Sequence, residues 1–493
     1  MSLLQAGGAI QGVTDAEGLG TVTIDRAMPG EHWVVAALPG HRSVGTELLG
    51  DLPSPIPLEL AAVQTDNPAW EYGDPGVGGG ETSLECSHCH QRLVEQFGGS
   101  AHRRAAKNPW VRDVYTAERV AEQPGHGGCA DCHAPGIPGP AGGGHDLLSA
   151  EGLAYDEGVH CDFCHKVADV DLDRPPGVGG RMVLGRPLEE PGLMGFEPVM
   201  YGPYPDVLNP FMGGSWAPVF SESRYCAGCH EYTQQGPSGP FPVHTTFSEW
   251  KASTYAAATP CQSCHMPPIE AANAADMDLM GLEPSRAAGF ARPPGAVRSH
   301  RFDGPHTARG GPTLLESAAS VGLERVESSE GRLSVRLTVK NVGAGHSLPT
   351  GEPLRAVLAV VEATCAGDPL TLLDGPTLPA TAGGEAGPAR RLPGDGELLR
   401  PLAGAPGLAF ERVLVGNDGQ EHVHHGAAVG VARDTRLKAG EERTATLMFA
   451  VPEGCAQPSA EARLVYRPVP LALAQARGWD ARDWLMAGAT LVD

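Results

Sequence analysis

Aromatic side chains make up only 5% of this 493-residue chain. That is poor for such a length, and another apolar group is expected to fill part of the interior. Long apolar runs are missing too: nothing reaches the ~18 consecutive residues of a membrane-spanning helix. Positive charge is in deficit, with 36 Lys and Arg against 59 Asp and Glu and a formal charge of −23. This argues against a nucleic-acid partner, which calls for a basic face. It suits a soluble protein that resists sticking to itself. The opening MSLLQAGGAIQGV has neither the charged start nor the apolar stretch of a secretory signal. Glycine (66) and proline (45) are plentiful, yet below the roughly 25–30% at which low-complexity disorder becomes the default. A loop-rich, ordered chain of roughly two to four domains is expected.

Cysteine is not scarce. Ten of the twelve cysteines fall in five copies of Cys-x-x-Cys-His: CSHCH (86–90), CADCH (129–133), CDFCH (161–165), CAGCH (226–230) and CQSCH (261–265). Chance supplies on the order of 0.01 such motifs in a chain of this composition. Zinc, a disulfide and a haem each use these residue types. Zinc takes four ligands, commonly as paired clusters, and five three-ligand units do not pair off. A disulfide scaffold suits short chains and leaves the histidines unexplained. A c-type haem accounts for the spacing. Two thiols add across its vinyl groups, two intervening residues let them span the porphyrin edge, and the next histidine falls under the iron. Five haem c groups are therefore expected. They are held by Cys86, Cys89 and His90; Cys129, Cys132 and His133; Cys161, Cys164 and His165; Cys226, Cys229 and His230; and Cys261, Cys264 and His265.

The sixth ligand decides what each iron does. A second histidine suits electron transfer, and an open position suits substrate. Nineteen histidines leave ample surplus beyond the five proximal ones. His102, in GGSAHRRAAKN, is a distal candidate. His160 directly precedes a haem-binding cysteine; it cannot easily reach its own iron and is expected to serve a neighbouring one. His145 follows a glycine run, and at least one of His300 and His306, in SHRFDGPH, is expected to ligate. His346, in NVGAGHSLPTGEP, occupies a turn leaving a strand, where another domain can offer it to a haem. His88, His126 and His244 are weaker candidates. His422, His424 and His425, in EHVHHG, read as an exposed loop able to take an adventitious metal.

Three segments emerge. Residues 1–65 read as a small β unit, with Val22 and Ile24 on one strand, a turn at Pro29-Gly30 and a strand from Trp33 to Ala37. Residues 66–314 carry all five motifs among Gly/Pro loops with little sustained periodicity, so a haem-cored, loop-rich, mainly α domain is expected. Residues 315–493 alternate Leu333, Val335, Leu337, Val339 and continue in strand-like runs, which predicts a β-sandwich. A short helix in LALAQARGWDARDWLMAG is expected to end it. Cys365 and Cys455 each follow such a strand. They are expected either as a disulfide, in an oxidising compartment, or as two buried thiols.

SRYCAGCHEY, FSEWKASTYAAATPCQSCHMPP, GVHCDFCHKV and NVGAGHSLPTG together resemble the multihaem cytochromes c related to the tetrahaem cytochrome and hydroxylamine oxidoreductase of ammonia oxidisers. That resemblance implies periplasmic or extracellular electron transfer, closely stacked haems and mostly bis-histidine ligation. The chain departs from it in having five motifs rather than four or eight, and in having no Cys-x-x-Cys-Lys. Tyr225 and Tyr232 flank the fourth motif, but neither is a convincing counterpart of the tyrosine that crosslinks to a catalytic haem. TDAEGLGTVTIDRAMPGEHWVVAALPGH resembles the end of a carboxypeptidase regulatory-like β-sandwich, with that domain's first strands missing.

Electron transfer is the first expectation, more than enzyme activity. The alternatives are an oxidoreductase acting on hydroxylamine or nitrite at one open haem, and a subunit of an extracellular cytochrome filament. Partners are then a redox protein, an extracellular acceptor or further copies of the chain. Because c-type haem is attached outside the inner membrane, an exported protein is expected even though the opening residues carry no signal peptide.

Overall fold

The computed structural model describes residues 2–491 apart from 6–7, 22–31, 52, 64–65, 78–85, 118–119, 123–126, 138–144, 187–198, 209–212, 271–291, 293, 306–313, 330 and 385–391. The expected strand at Val22 and Ile24, and His126 and His306, fall outside the described residues. The chain divides into two compact units, Met1–Cys229 with Thr259–Ala308 and His230–Ala258 with Arg309–Asp493. This division differs from the three expected segments. Residues 1–65 group with the motif region, and 230–258 group with the C-terminal sheets.

In the first unit, β1 (Ser2–Gln5), β2 (Gly8–Gln11), β3 (Trp33–Ala36) and β4 (Val44–Glu47) form an antiparallel sheet in the order β2-β1-β3-β4. The motif region is built from short helices: α1 (Ser87–Gly98), α2 (Pro109–Ala117), α3 (Gly127–His133), α4 (Gly152–Asp156), α5 (Cys161–Cys164), α6 (Ser223–Ala227) and a last turn over Cys261–His265. Two-stranded sheets run among them, β5 (Val167–Val170) with β6 (Met182–Leu184) and β7 (Val199–Gly202) with β8 (Gly213–Trp216). The region is thus mixed rather than mainly α. Local chemistry sets the helix ends. Asn108 Oδ1 accepts from the Trp110 and Val111 N–H groups at 3.0 and 3.3 Å, and Pro109 occupies the first helical position, where its missing N–H costs nothing. A core of Phe163, Val167, Val170, Met182, Leu184, Val199 and Tyr201 packs beside the third motif.

In the second unit, β9 (Glu231–Gly236) and β10 (Gly239–Thr245) form a hairpin. Beyond it lie β11 (Ala319–Ser329), β12 (Arg332–Asn341), β13 (Ala356–Cys365), β14 (Asp368–Pro369), β15 (Leu372–Asp374), β16 (Glu397–Leu398), β17 (Gly407–Gly416), β18 (Ala428–Asp434), β19 (Glu442–Ala450), β20 (Pro458–Arg467) and β21 (Arg482–Thr490). One sheet runs β11-β12-β19-β15, the other β16-β21-β20-β13-β17-β18 with β14 on β13. The period-2 pattern supplies their shared core. Leu333, Val335, Leu337 and Val339 of β12 are buried with Leu447 and Phe449 of β19 and with Val357, Ala359 and Val361 of β13. Strand β13 is buried on both faces. Ala356, Leu358 and Val360 meet Leu378, Leu392 and Leu402 on its other side.

The C-terminal helix is shorter than expected. It spans Leu471–Arg477 and stops at Gly478, whose φ of 66° places it in the left-handed region that ends helices. The rest of the expected helix is β21, which pairs with β20.

Cys365 and Cys455 form a disulfide, with Cα atoms 6.0 Å apart and a sequence separation of 90. Changing both to serine is expected to cost about 2–4 kcal/mol in denaturant unfolding of the second unit, because the bridge restricts the unfolded chain. An unchanged midpoint would show that the bridge adds nothing to stability.

Candidate haem-attachment site

Each described motif sits on or beside a single helical turn. The α-helical repeat brings residues i and i+3 to one side, so Cys86 and Cys89, Cys129 and Cys132, and Cys161 and Cys164 face the same way. In α1 the helix breaks at His90, the histidine of the first motif, with φ −123° and ψ 39°. None of the ten motif cysteines is in a disulfide. Among the described residues, the one group of three or more metal-ligating side chains lies elsewhere, at His244, Glu352 and His425. The motif residues therefore do not converge into zinc-like sets.

Three of the motif histidines are held by backbone carbonyls. His165 Nδ1 donates to Tyr201 O at 2.6 Å, His133 Nδ1 to Ala105 O at 3.3 Å, and His265 Nδ1 to Asp303 O. A backbone carbonyl accepting from Nδ1 fixes the tautomer that carries its lone pair on Nε2, as in ligating histidines generally.

The motifs also meet one another. The Cys86 and Cys161 thiols lie close enough to act on one another, as do Cys226 with Cys261 and Cys229 with Cys132. Cys164 lies in the electrostatic reach of Cys226 and Cys229, and Tyr225 Oη donates to Cys164 O at 2.9 Å. The first motif thus adjoins the third, and the fourth adjoins the second, third and fifth. Burial raises Cys129 and Cys164 to about 11. The Cys226 contact lowers Cys261 to about 7.

Several distal candidates are close to motifs other than their nearest in sequence. His102 packs edge-on to Phe302, ring centres 4.4 Å apart. Burial, with a smaller effect of His265, lowers it to about 4. It lies within electrostatic reach of the fifth motif. His300 Nδ1 donates to Arg298 O at 3.0 Å. Burial, then His165, lowers it to about 4, with a lesser effect of His90. His160 is wholly buried and burial lowers it to about 4. Its Nε2 has no hydrogen-bond partner and lies against Gly136, where a built Cβ would come within 2.4 Å of it. Gly136 follows the second motif by three residues. The Phe163 N–H donates to His160 Nδ1 at 3.2 Å, and ligation through Nε2 requires that contact to be given up. His145 Nε2 is likewise buried without a partner, and the ring lies within electrostatic reach of Asp131 inside the second motif. His346 lies in the second unit after β12, its Nδ1 donating to Ser347 O at 3.0 Å. These orphaned nitrogens and oriented rings fit a haem-binding chain.

One arrangement was missed from sequence. Lys166 and Asp162 are a buried ion pair at 2.7 Å, with side-chain exposures of 0% and 6%. Asp162 lies inside the third motif and Lys166 follows its histidine. Asp162 Oδ2 accepts from Trp70 Nε1 at 3.2 Å and Gly73 N at 2.9 Å. Lys166 Nζ donates to Val199 O at 3.0 Å and sits 4.5 Å from the Trp70 ring centre. Burial alone would raise Asp162, but Lys166 and these donors hold it below its ordinary value. The i,i+4 spacing of CDFCHK was the available signal.

Residues 85–166 match the family model for cytochrome c554 and c-prime. The match takes in the first three motifs. A solved penta-haem cytochrome c552 from Thermochromatium tepidum is similar over 82% of this chain and 97% of its own, at 19% identity and a TM-score of 0.56. That likeness is one of fold. A family 123 glycoside hydrolase from Clostridium perfringens aligns over 35% of this chain and 23% of its own, at 8% identity and a TM-score of 0.12, and carries no weight. No curated protein sequence matches. The five Cys-x-x-Cys-His motifs and the family match over residues 85–166 support haem c attachment, and the fold is similar to that of a penta-haem cytochrome.

Proposed function

We propose that the chain transfers electrons through five covalently bound haems, mostly bis-histidine ligated, in the periplasm or outside the cell. The observation that carries this reading is the contact between cysteines of different motifs. Each attached haem would lie beside another, and haem supplies the electron chemistry once bound. The contacts imply an order in which the first haem meets the third, the third meets the fourth, and the second and fifth each meet the fourth. His102 is assigned to the fifth haem, His160 to the second, and His300 to the first or third. Among the described residues no helix is long and apolar enough to cross a membrane.

The test is the electron paramagnetic resonance spectrum of the oxidised holoprotein, made in a host that attaches c-type haem. Low-spin signals quantified to five irons are expected. A stoichiometric high-spin signal would reveal an open iron. It would replace the carrier reading with an oxidoreductase, to be assayed with hydroxylamine and nitrite.

A further inference from the structure

Three segments far apart in sequence converge in the second unit. His244 sits on β10, Glu352 in the loop between β12 and β13, and His425 at the turn leading into β18. His244 Nε2 is 3.1 Å from Glu352 Oε2, and His425 Nδ1 is 3.0 Å from the same oxygen. One ligand atom from each residue lies within 4.8 Å of the others. The convergence is built rather than incidental. Phe241 and Val243 of the hairpin pack with Leu414 of β17 and Ala428 of β18 in a small core of their own, which holds β10 beside the His425 turn. The His244 and His425 rings stand at 76° to each other with centres 5.9 Å apart, and Tyr232 meets His425 edge-on at 6.1 Å.

The trio makes a donor set rather than a plain hydrogen-bond pair. Glu352 Oε1 is buried with no hydrogen-bond partner, a costly position for a carboxylate oxygen unless a further group meets it. Two imidazoles and a carboxylate suit a borderline-soft divalent ion, and three protein ligands leave one position open. Bonds of about 2.0–2.1 Å to such an ion put neighbouring ligand atoms roughly 3.3 Å apart, close to the observed spacings. The side chains keep exposures of 28%, 22% and 22%, enough for water to reach the fourth position.

We propose that His244, Glu352 and His425 bind one zinc-class divalent cation that ties the β9–β10 hairpin to the loop bearing Glu352 and to the turn before β18. The neighbouring His422 and His424 lie outside this set. His424 Nδ1 accepts from the Gly426 N–H at 3.1 Å, and His422 faces Glu411 at 3.8 Å.

Zinc is the probe, because iron analysis would be swamped by the haems. The holoprotein, stripped with a chelator and dialysed, is titrated with Zn²⁺ and analysed for bound zinc by elemental mass spectrometry. One zinc per chain is expected. Glu352→Gln, close in shape but uncharged, is expected to weaken binding at least tenfold, with haem absorbance confirming the fold. His244→Ala, combined with His425→Ala, is expected to abolish binding. A His422→Ala/His424→Ala variant is expected to bind as the wild type does. No zinc on the wild type would overturn the proposal. So would zinc retained by Glu352→Gln, or zinc lost only in the His422/His424 variant, which would mark a loop taking metal adventitiously. Zinc binding is independent of haem spin state, so either result leaves the carrier reading to its own test.

Discussion

Replacing Asp162 by asparagine is expected to destabilise the first unit by about 3–5 kcal/mol, the cost of leaving one member of a buried ion pair uncompensated. Denaturant unfolding of the holoprotein reads it directly. The Lys166 side chain is fully buried. Without the carboxylate it keeps the Val199 carbonyl and the face of Trp70, but loses the charge that balances its own. Lys166→Met makes the complementary loss and strands a carboxylate supported by Trp70 Nε1 and Gly73 N. The double variant removes both charges and is expected to recover much of the stability, giving a coupling energy in a double-mutant cycle. The pair flanks the third motif, so the reduction potential gives a second readout. A buried cation favours the electron-rich state and a buried anion opposes it. Asp162→Asn is expected to raise the potential of the third haem, and Lys166→Met to lower it. Two shifts of the same sign, or single variants as stable as the wild type, would remove the pair from any role beside that haem.

The second large effect belongs to His102. His102→Ala is expected to convert one of five low-spin irons to high spin and leave four unchanged. Added imidazole is expected to restore the low-spin signal by entering the vacated position. The ring is half-buried beside Phe302 and within the field of His265, and alanine offers nothing to replace its nitrogen. His300→Ala, next to a different pair of proximal histidines, is expected to open a different iron. The two variants together then open two. A His102→Ala spectrum identical to the wild type would assign the fifth haem another ligand.

The candidate attachment motifs were legible because attachment chemistry confines two thiols and a histidine to five consecutive residues. The candidate distal ligands were legible only as a surplus of histidines. His102 lies shortly after the first motif in sequence but near the fifth in space, and nothing in GGSAHRRAAKN announces that. The sandwich strands were readable where one face is buried, as in Leu333 to Val339. Strand β21 was misjudged because ALAQAR forms helix well and DWLMAG lacks a clean alternation, so the stop at Gly478 went unnoticed. Glu352 gave no signal at all, since its partners lie 108 and 73 residues away.

The thiol contacts between motifs bear on how such a chain is made. Cys86 lies against Cys161, Cys226 against Cys261, and Cys229 against Cys132. In a compartment oxidising enough to close Cys365 to Cys455, these are also the partners for wrong disulfides. A chain that compacts with its thiols unspent would lock motif to motif and lose the sites. On the proposed function, haem attachment therefore runs ahead of folding, and the attached porphyrins then become the surfaces on which the aromatic-poor interior closes.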